Sequence, residues 1–205
     1  MTDTELIQAI RQRAISRRVE CESKGLQLHP PATEATIRIA ENRIGFKLPS
    51  FLRLVYMGVG NGGFGPGYGI VGLEGGFLDD GRDITGVYES LSEKDDSDPQ
   101  WLWPAFQVPI CTWGCAIYTC VDAFTDEGEV YTFDPNGHEI GEPIARLFAR
   151  THESIKSWFR DWANGVPLWD KMFVADSSQA TTIINPFTGV KSQIAPTRMR
   201  DNSNH

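Results

Sequence analysis

Histidine is scarce, cysteine is unpaired in spacing, and no apolar run approaches the roughly 20 residues that a bilayer crossing requires. The four histidines, His29, His138, His152 and His205, fall in a proline turn, a hairpin, a helix start and the tail, and suggest no shared site. The four cysteines, Cys21, Cys111, Cys115 and Cys120, lack the C-x-x-C spacing of a zinc site and have no histidine near them in sequence. There is no G-x-x-x-x-G-K-[ST], G-x-S-x-G, H-E-x-x-H or EF-hand loop, so the commonest phosphate, acyl-transfer, zinc-hydrolase and calcium chemistries have no foothold. The start, MTDTELIQAIRQR, is charged from Asp3 onward and lacks the apolar stretch of a secretory signal. The expectation is a soluble cytoplasmic protein with no metal, no cofactor and no enzymatic activity.

Positive charge is scarce in the middle of the chain. Residues 49–144 hold three basic and sixteen acidic side chains, a local net of −13 within an overall −8, whereas both ends are slightly positive. An acidic surface attracts basic partners and repels nucleic acid. Asp79, Asp80, Asp83, Asp95, Asp96 and Asp98 are the residues expected to meet a basic face on a partner protein. The competing reading is that these acids only keep the protein soluble. Neither a nucleic-acid nor a membrane partner is expected.

Apolar and aromatic residues are plentiful. At 205 residues and 40% hydrophobic, with 11 Phe, 6 Trp and 5 Tyr, the chain can bury a substantial core without disulfides or metal. Thr4 to Lys24 reads as an amphipathic helix with Leu6, Ile7, Ile10, Ala14 and Val19 on one side. Pro30-Pro31 separates it from a second helix that starts near Thr33, buries Ile37, Ala40 and Ile44, and stops at Gly45. Pro49-Ser50 opens a third, with Phe51, Leu52, Val55 and Leu54 candidates for its inner side and Gly58 at its end.

Glycine is concentrated between Val55 and Leu73, where Gly58 to Gly63 match G-x-G-x-x-G. A dinucleotide site needs a strand before such glycines and a long helix after them. Here a helix precedes them and Pro66 follows, so the expectation is a corner in which glycines supply positive φ, leading into a strand over Gly69–Leu73. Asp83 to Leu91 reads as a short helix.

Beyond Pro104 the pattern turns to β. Residues 106–111 and 115–121 are rich in β-branched and aromatic types and are separated by Thr112-Trp113-Gly114, read as a three-residue turn that would set Cys111 opposite Cys115. Cytosolic cysteines are expected to stay reduced, as small hydrophobes on the sheet. Val130–Phe133 and the turn Asp134-Pro135-Asn136-Gly137 extend the antiparallel series. A final helix capped by Thr151 carries Ile155, Trp158, Phe159 and Trp162 as a core stripe and ends at Gly165. Residues 181–184 and 190–194 can pair around 185–189, and the polar end should fray.

Taken in order, Ile44-Gly45-Phe46-Lys47-Leu48-Pro49, Phe51-Leu52-Arg53-Leu54-Val55-Tyr56, and Gly60-Asn61-Gly62-Gly63-Phe64-Gly65-Pro66-Gly67-Tyr68-Gly69 resemble the SUKH superfamily, which includes the Knr/Smi-type cell-wall regulators of fungi. Pro109–Cys115 resembles its internal Trp-Gly turn, carried by Trp113 and Gly114, and Ser154–Trp169 its closing helix, with Trp158 and Trp162. The resemblance implies an α+β fold: a largely antiparallel sheet with N-terminal helices and a C-terminal helix packed on it. It also implies a non-catalytic role, in bacteria typically as an immunity protein that neutralises a cognate toxin. A basic nuclease toxin would suit the acidic middle. The alternatives are a regulatory scaffold like the fungal members and, more remotely, an enzyme with an unrecognised carboxylate site. Gly60, Asn61, Gly62 and Gly63 are structural by the same analogy. The division expected is an N-terminal helix and linker over 1–32, the SUKH-like domain over 33–170, and an extension over 171–205.

Overall fold

The computed structural model describes residues 1–16, 26–172, 181–184 and 191–194. Helix α1 spans Asp3–Ser16 and buries Leu6, Ile10 and Ala14, one side of its apolar periodicity. The helical reading beyond it, over 17–24, lies outside the described residues, as does Cys21. Helix α2, Glu34–Ile44, begins where Thr33 accepts the Thr36 N–H and ends where Gly45, at φ 89°, donates to the Glu41 carbonyl. Helix α3, Ser50–Gly58, follows Pro49 and buries Phe51, Leu52, Val55 and Tyr56. Leu54 faces outward and is 39% exposed, because its position falls off the inward stripe.

One charge is buried between α2 and α3. Glu41 accepts from Lys47 Nζ (2.8 Å), from Arg53 Nη1 (2.8 Å) and from the Leu48 N–H (3.0 Å). A carboxylate this deep persists only because its acceptor sites are filled by cations and backbone. The pairing ties the end of α2 to the loop before α3 and to α3 itself.

After helix α4, Ile84–Ser92, the chain forms an antiparallel meander in the order β1-β2-β3-β4: Gln107–Gly114, Ile117–Asp122, Val130–Phe133 and Phe148–His152. Short connections make the antiparallel arrangement the accessible one. Val108, Ile110, Val121 and Val130 pack into the same core as α1, α2, α3 and helix α5, Ile155–Ala163. Cys120, Tyr131, Phe133 and Phe148 join a second, smaller core under Trp103 and Ile144. The helices therefore cover one face of the sheet, and a loop with a 3₁₀ turn over Ile144–Leu147 covers the other. Helix α6, Leu168–Met172, follows α5, and strands β5, Thr181–Ile184, and β6, Lys191–Ile194, pair antiparallel. This is the α+β fold expected.

Four local readings are corrected. Trp113 and Gly114 belong to β1, and the turn is the two residues Cys115 and Ala116, both with positive φ (51° and 59°). Cys111 therefore pairs with Thr119 in register and is buried, Cys115 is exposed at the tip, and Cys111, Cys115 and Cys120 are free thiols. Residues 69–73 form no regular strand: only Ile70 bridges Cys111, since Gly69 is at φ 94° and the Leu73 N–H is taken by a side chain. Thr151 lies in β4, and the cap of α5 is Ser154, which exchanges hydrogen bonds with Ser157 in a capping box. Strand β4 and helix α6 have no counterpart in the sequence reading.

Candidate partner-binding surface

The glycine segment is a corner held by its own backbone. Gly62 and Gly63 sit at φ 81° and 74°, and a Cβ on Gly63 would lie 1.7 Å from the Gln27 carbonyl oxygen. The N–H groups of Gly60, Asn61 and Gly63 donate to Val55, to His29 and Pro30, and to Ile70, so they are spent within the fold. Asn61, almost fully buried, pins the far side. Its Oδ1 accepts the Leu73 N–H (2.7 Å), and its Nδ2 donates to the carbonyls of Leu73 (3.3 Å) and Glu74 (3.2 Å). A residue offering acceptor and donor on one short arm satisfies three backbone groups that no strand ladder reaches.

Beside this corner, the Trp-Gly pair and the glycine segment clasp each other. A Cβ on Gly67 would fall 2.8 Å from Trp113 Cε3, and a Cβ on Gly114 would fall 2.8 Å from Tyr68 Cε2. Each ring rests on the other segment's glycine. The Trp113 indole N–H donates to Thr119 Oγ1 (2.8 Å), and the ring meets Trp169 at a centroid separation of 5.6 Å. Trp158 and Trp162 are buried on α5, and the Arg13 guanidinium lies 5.4 Å from the centre of the Trp162 ring.

The six aspartates divide. Asp83 caps α4, accepting the Gly86 N–H (2.8 Å) and the Thr85 hydroxyl (2.7 Å), and pairs with Arg43. Asp98 is 3% exposed; its Oδ2 stands 2.5 Å from His138 Nε2, and its Oδ1 accepts the N–H groups of Gly141 and Gln100. The His138 hydrogen bond is the main cause that holds the Asp98 carboxyl below the usual carboxylate range. Asp95 bonds Ser97 and is exposed, as is Asp96. Asp80 is exposed on a turn in which Asp79 and Arg82 exchange backbone hydrogen bonds, and Asp79 accepts the Tyr118 hydroxyl (2.5 Å). Asp79 and Asp80 precede α4 whereas Asp95 and Asp96 follow it, so the nine residues of that helix, about 13 Å, separate two acidic groups.

Elsewhere, two carboxylates come close where β2 turns into β3. Burial first, and Glu129 second, push the Asp122 carboxyl up. Glu129 has both oxygens engaged, one by the Tyr131 hydroxyl (2.8 Å) and one by Arg150 (2.7 Å), and Asp122 accepts the Phe124 N–H. These bonds close a corner of the sheet. The thiols of Cys111 and Cys120 are pushed up by burial, away from the reactive thiolate form. Among the described residues, no group of three or more His, Cys, Asp and Glu is placed to hold a metal ion, and no helix is long and apolar enough to cross a membrane.

The sequence reading did not find the partners Arg43 and His138, or the clasp of Tyr68 and Trp113. Those pairs are distant in sequence and carry no periodic signal; only the Gly and Trp of the motif hinted at close ring-to-backbone contact. Residues 31–160 match the SMI1/KNR4 family (SUKH-1). No curated protein matches the chain.

Proposed function

The chain belongs to the SMI1/KNR4 family (SUKH-1), and on that premise we propose that it is a non-catalytic cytoplasmic protein that binds and neutralises a cognate protein toxin with a basic surface. The observation that carries the reading is the division of the acids in residues 49–144. Those that are buried or capping, Asp83 and Asp98, already have cationic or backbone partners, whereas Asp80, Asp95 and Asp96 face outward on loops at the two ends of α4. Exposed like charges repel one another and add little to folding, but they raise the encounter rate with a cationic partner by roughly 10–10³-fold at low salt. A nuclease toxin, basic because it grips phosphates, is the partner class that such a surface suits.

The test is co-expression with the C-terminal domain of a toxin encoded beside this gene, together with titration of the toxin's activity by purified protein. Neutralisation by a non-catalytic binder should be stoichiometric, with activity falling linearly to zero at a fixed ratio. Protection at strongly substoichiometric amounts would point to an enzyme. Absence of both protection and complex would sink the toxin reading and favour the regulatory role of the fungal members.

A further inference from the structure

We propose that the row of rings ending at Phe124, on the loop between β2 and β3, is a docking surface for a protein segment in which a large apolar side chain stands next to lysine or arginine. The proposal deepens the binding role above and rests on it. The row starts on α4, the helix whose two ends carry the exposed aspartates. Tyr88 of that helix meets Phe46 edge-on at 5.6 Å between ring centres, Phe46 meets Phe106 at 4.9 Å, and Phe106 meets Phe124 at 5.3 Å. Phe46 and Phe106 are half-buried, whereas Phe124 is 70% exposed. A lone apolar side chain in water is ordinary on a protein surface. Here the exposed ring is the open end of an aromatic series that continues inward, so an apolar side chain laid against it extends packing already in place.

The loop that presents this ring is pinned to the fold. The Phe124 N–H donates to Asp122 Oδ1 (2.9 Å), and the Ala123 N–H to the Phe106 carbonyl (2.9 Å). Asp126 accepts the Ser50 N–H at the start of α3 (2.6 Å), and the Glu127 carbonyl accepts the Ile155 N–H at the start of α5 (3.1 Å). Residues 124–127 are nevertheless all exposed. A loop so fixed has little ordering entropy left to lose when a partner binds.

Charge selects the occupant. Residues 122–129 hold four acids, Asp122, Asp126, Glu127 and Glu129, and no base. Glu129 is paired with Arg150, and Asp126 lies within the electrostatic reach of Lys156, which is itself bound to Asp3 (3.0 Å). Lys47, next to Phe46 in the chain, is engaged by Glu41. Asp122 and Glu127 form no ion pair among the described residues. A partner's lysine or arginine supplies the missing charge while its apolar neighbour covers the ring, and an acidic segment is repelled.

The experiment titrates isotope-labelled full-length protein with an amidated Gly-(Lys-Leu)₃-Gly peptide and follows the backbone amides. Gly-(Lys-Ser)₃-Gly, which keeps the charge alone, and Gly-(Glu-Leu)₃-Gly, which keeps the apolar side chains alone, are the comparisons. The expected result is saturable movement of the amides of residues 123–128 and of Phe46 with the lysine-leucine peptide, and binding at least about fivefold weaker with either comparison. Phe124→Ser, at an exposed position, should weaken binding at least about fivefold with the remaining amide signals in place. Glu127→Gln should weaken it about twofold and reduce its dependence on salt. Equal binding of the serine peptide, indifference to Phe124→Ser, movement confined to other surfaces, or no movement overturns the proposal. So does a dimer in sedimentation that Phe124→Ser abolishes, because the rings would then belong to a second copy of the chain. The readout does not involve a toxin, so failure of protection in co-expression refutes the immunity reading without deciding this one.

Discussion

His138 Nε2 stands 2.5 Å from a carboxylate oxygen of Asp98, joining residues forty positions apart and burying an acid that composition alone assigns to the surface. The hydrogen bonds from His138, Gly141 and Gln100 favour the ionised form, so the folded pKa lies below the unfolded one. The stability this contributes is present above the ordinary carboxylate range and is lost as pH falls through the folded value. Asp98→Asn should therefore lower the melting temperature by several degrees at pH 7 and by much less near pH 3. Asp96→Asn should leave it unchanged at both. Calorimetry at the two pH values decides between them.

His152 carries a second pH dependence. Burial lowers its pKa from the ordinary 6.5, against the pull of Asp161, which lies 3.4 Å from Nε2 and is shared with Lys171. Between the folded and unfolded pKa the unfolded chain binds more protons, so stability is complete above pH 6.5 and falls as pH drops through that value. Melting temperature measured from pH 7.5 to 5.5 should decline, and His152→Gln should flatten the decline. Parallel curves for the two proteins would assign the slope to other groups.

Gly63→Ala should abolish folding, because the added methyl would meet the Gln27 carbonyl oxygen at 1.7 Å in backbone that cannot retreat. Gly75 is also left-handed, at φ 76°, but has open space around it. Gly75→Ala should cost only the left-handed strain, about 1–2 kcal/mol. Circular dichroism and urea denaturation of the two variants separate collision from conformation; equal losses would refute the steric account.

The hairpin tip offers the opposite change. Cys115 and Ala116 both occupy left-handed backbone, which Asn-Gly adopts at far lower cost. The double substitution Cys115→Asn, Ala116→Gly should raise stability by about 1 kcal/mol, read as a shift of the urea midpoint at constant slope. No gain would mean that the unfolded chain's added freedom at glycine cancels the relief.

The parts of this fold that announced themselves in sequence are those governed by near neighbours. Thr33 and Gly45 bracket α2, and the stripe of Ile155, Trp158, Phe159 and Trp162 marks α5, because caps and helical periodicity act within a few residues. The turn at Cys115-Ala116 was hidden since neither residue type signals positive φ, whereas Trp113-Gly114 mimics a turn while its glycine makes room for Tyr68. Strand β4, Phe-Ala-Arg-Thr-His, is too short and polar to show an apolar alternation, and it takes shape only by pairing with β3. At the surface, sequence counted the acids correctly but could not sort Asp83 and Asp98 from Asp80 and Asp96. Their sorting depends on Arg43 and His138, which folding brings from afar.

Asn61 ties off the corner from inside, with three hydrogen bonds between its amide and the backbone of Leu73 and Glu74. The consequence is a division of evolutionary freedom. Gly62, Gly63 and Asn61 are committed to closing the corner, where an added Cβ has no room and a lost amide leaves backbone groups unpaired. The side chains of Leu78 and Asp80 on the turn beside it are exposed. Substitutions on that rim can redraw the exposed surface one side chain at a time while the frame beneath stays the same.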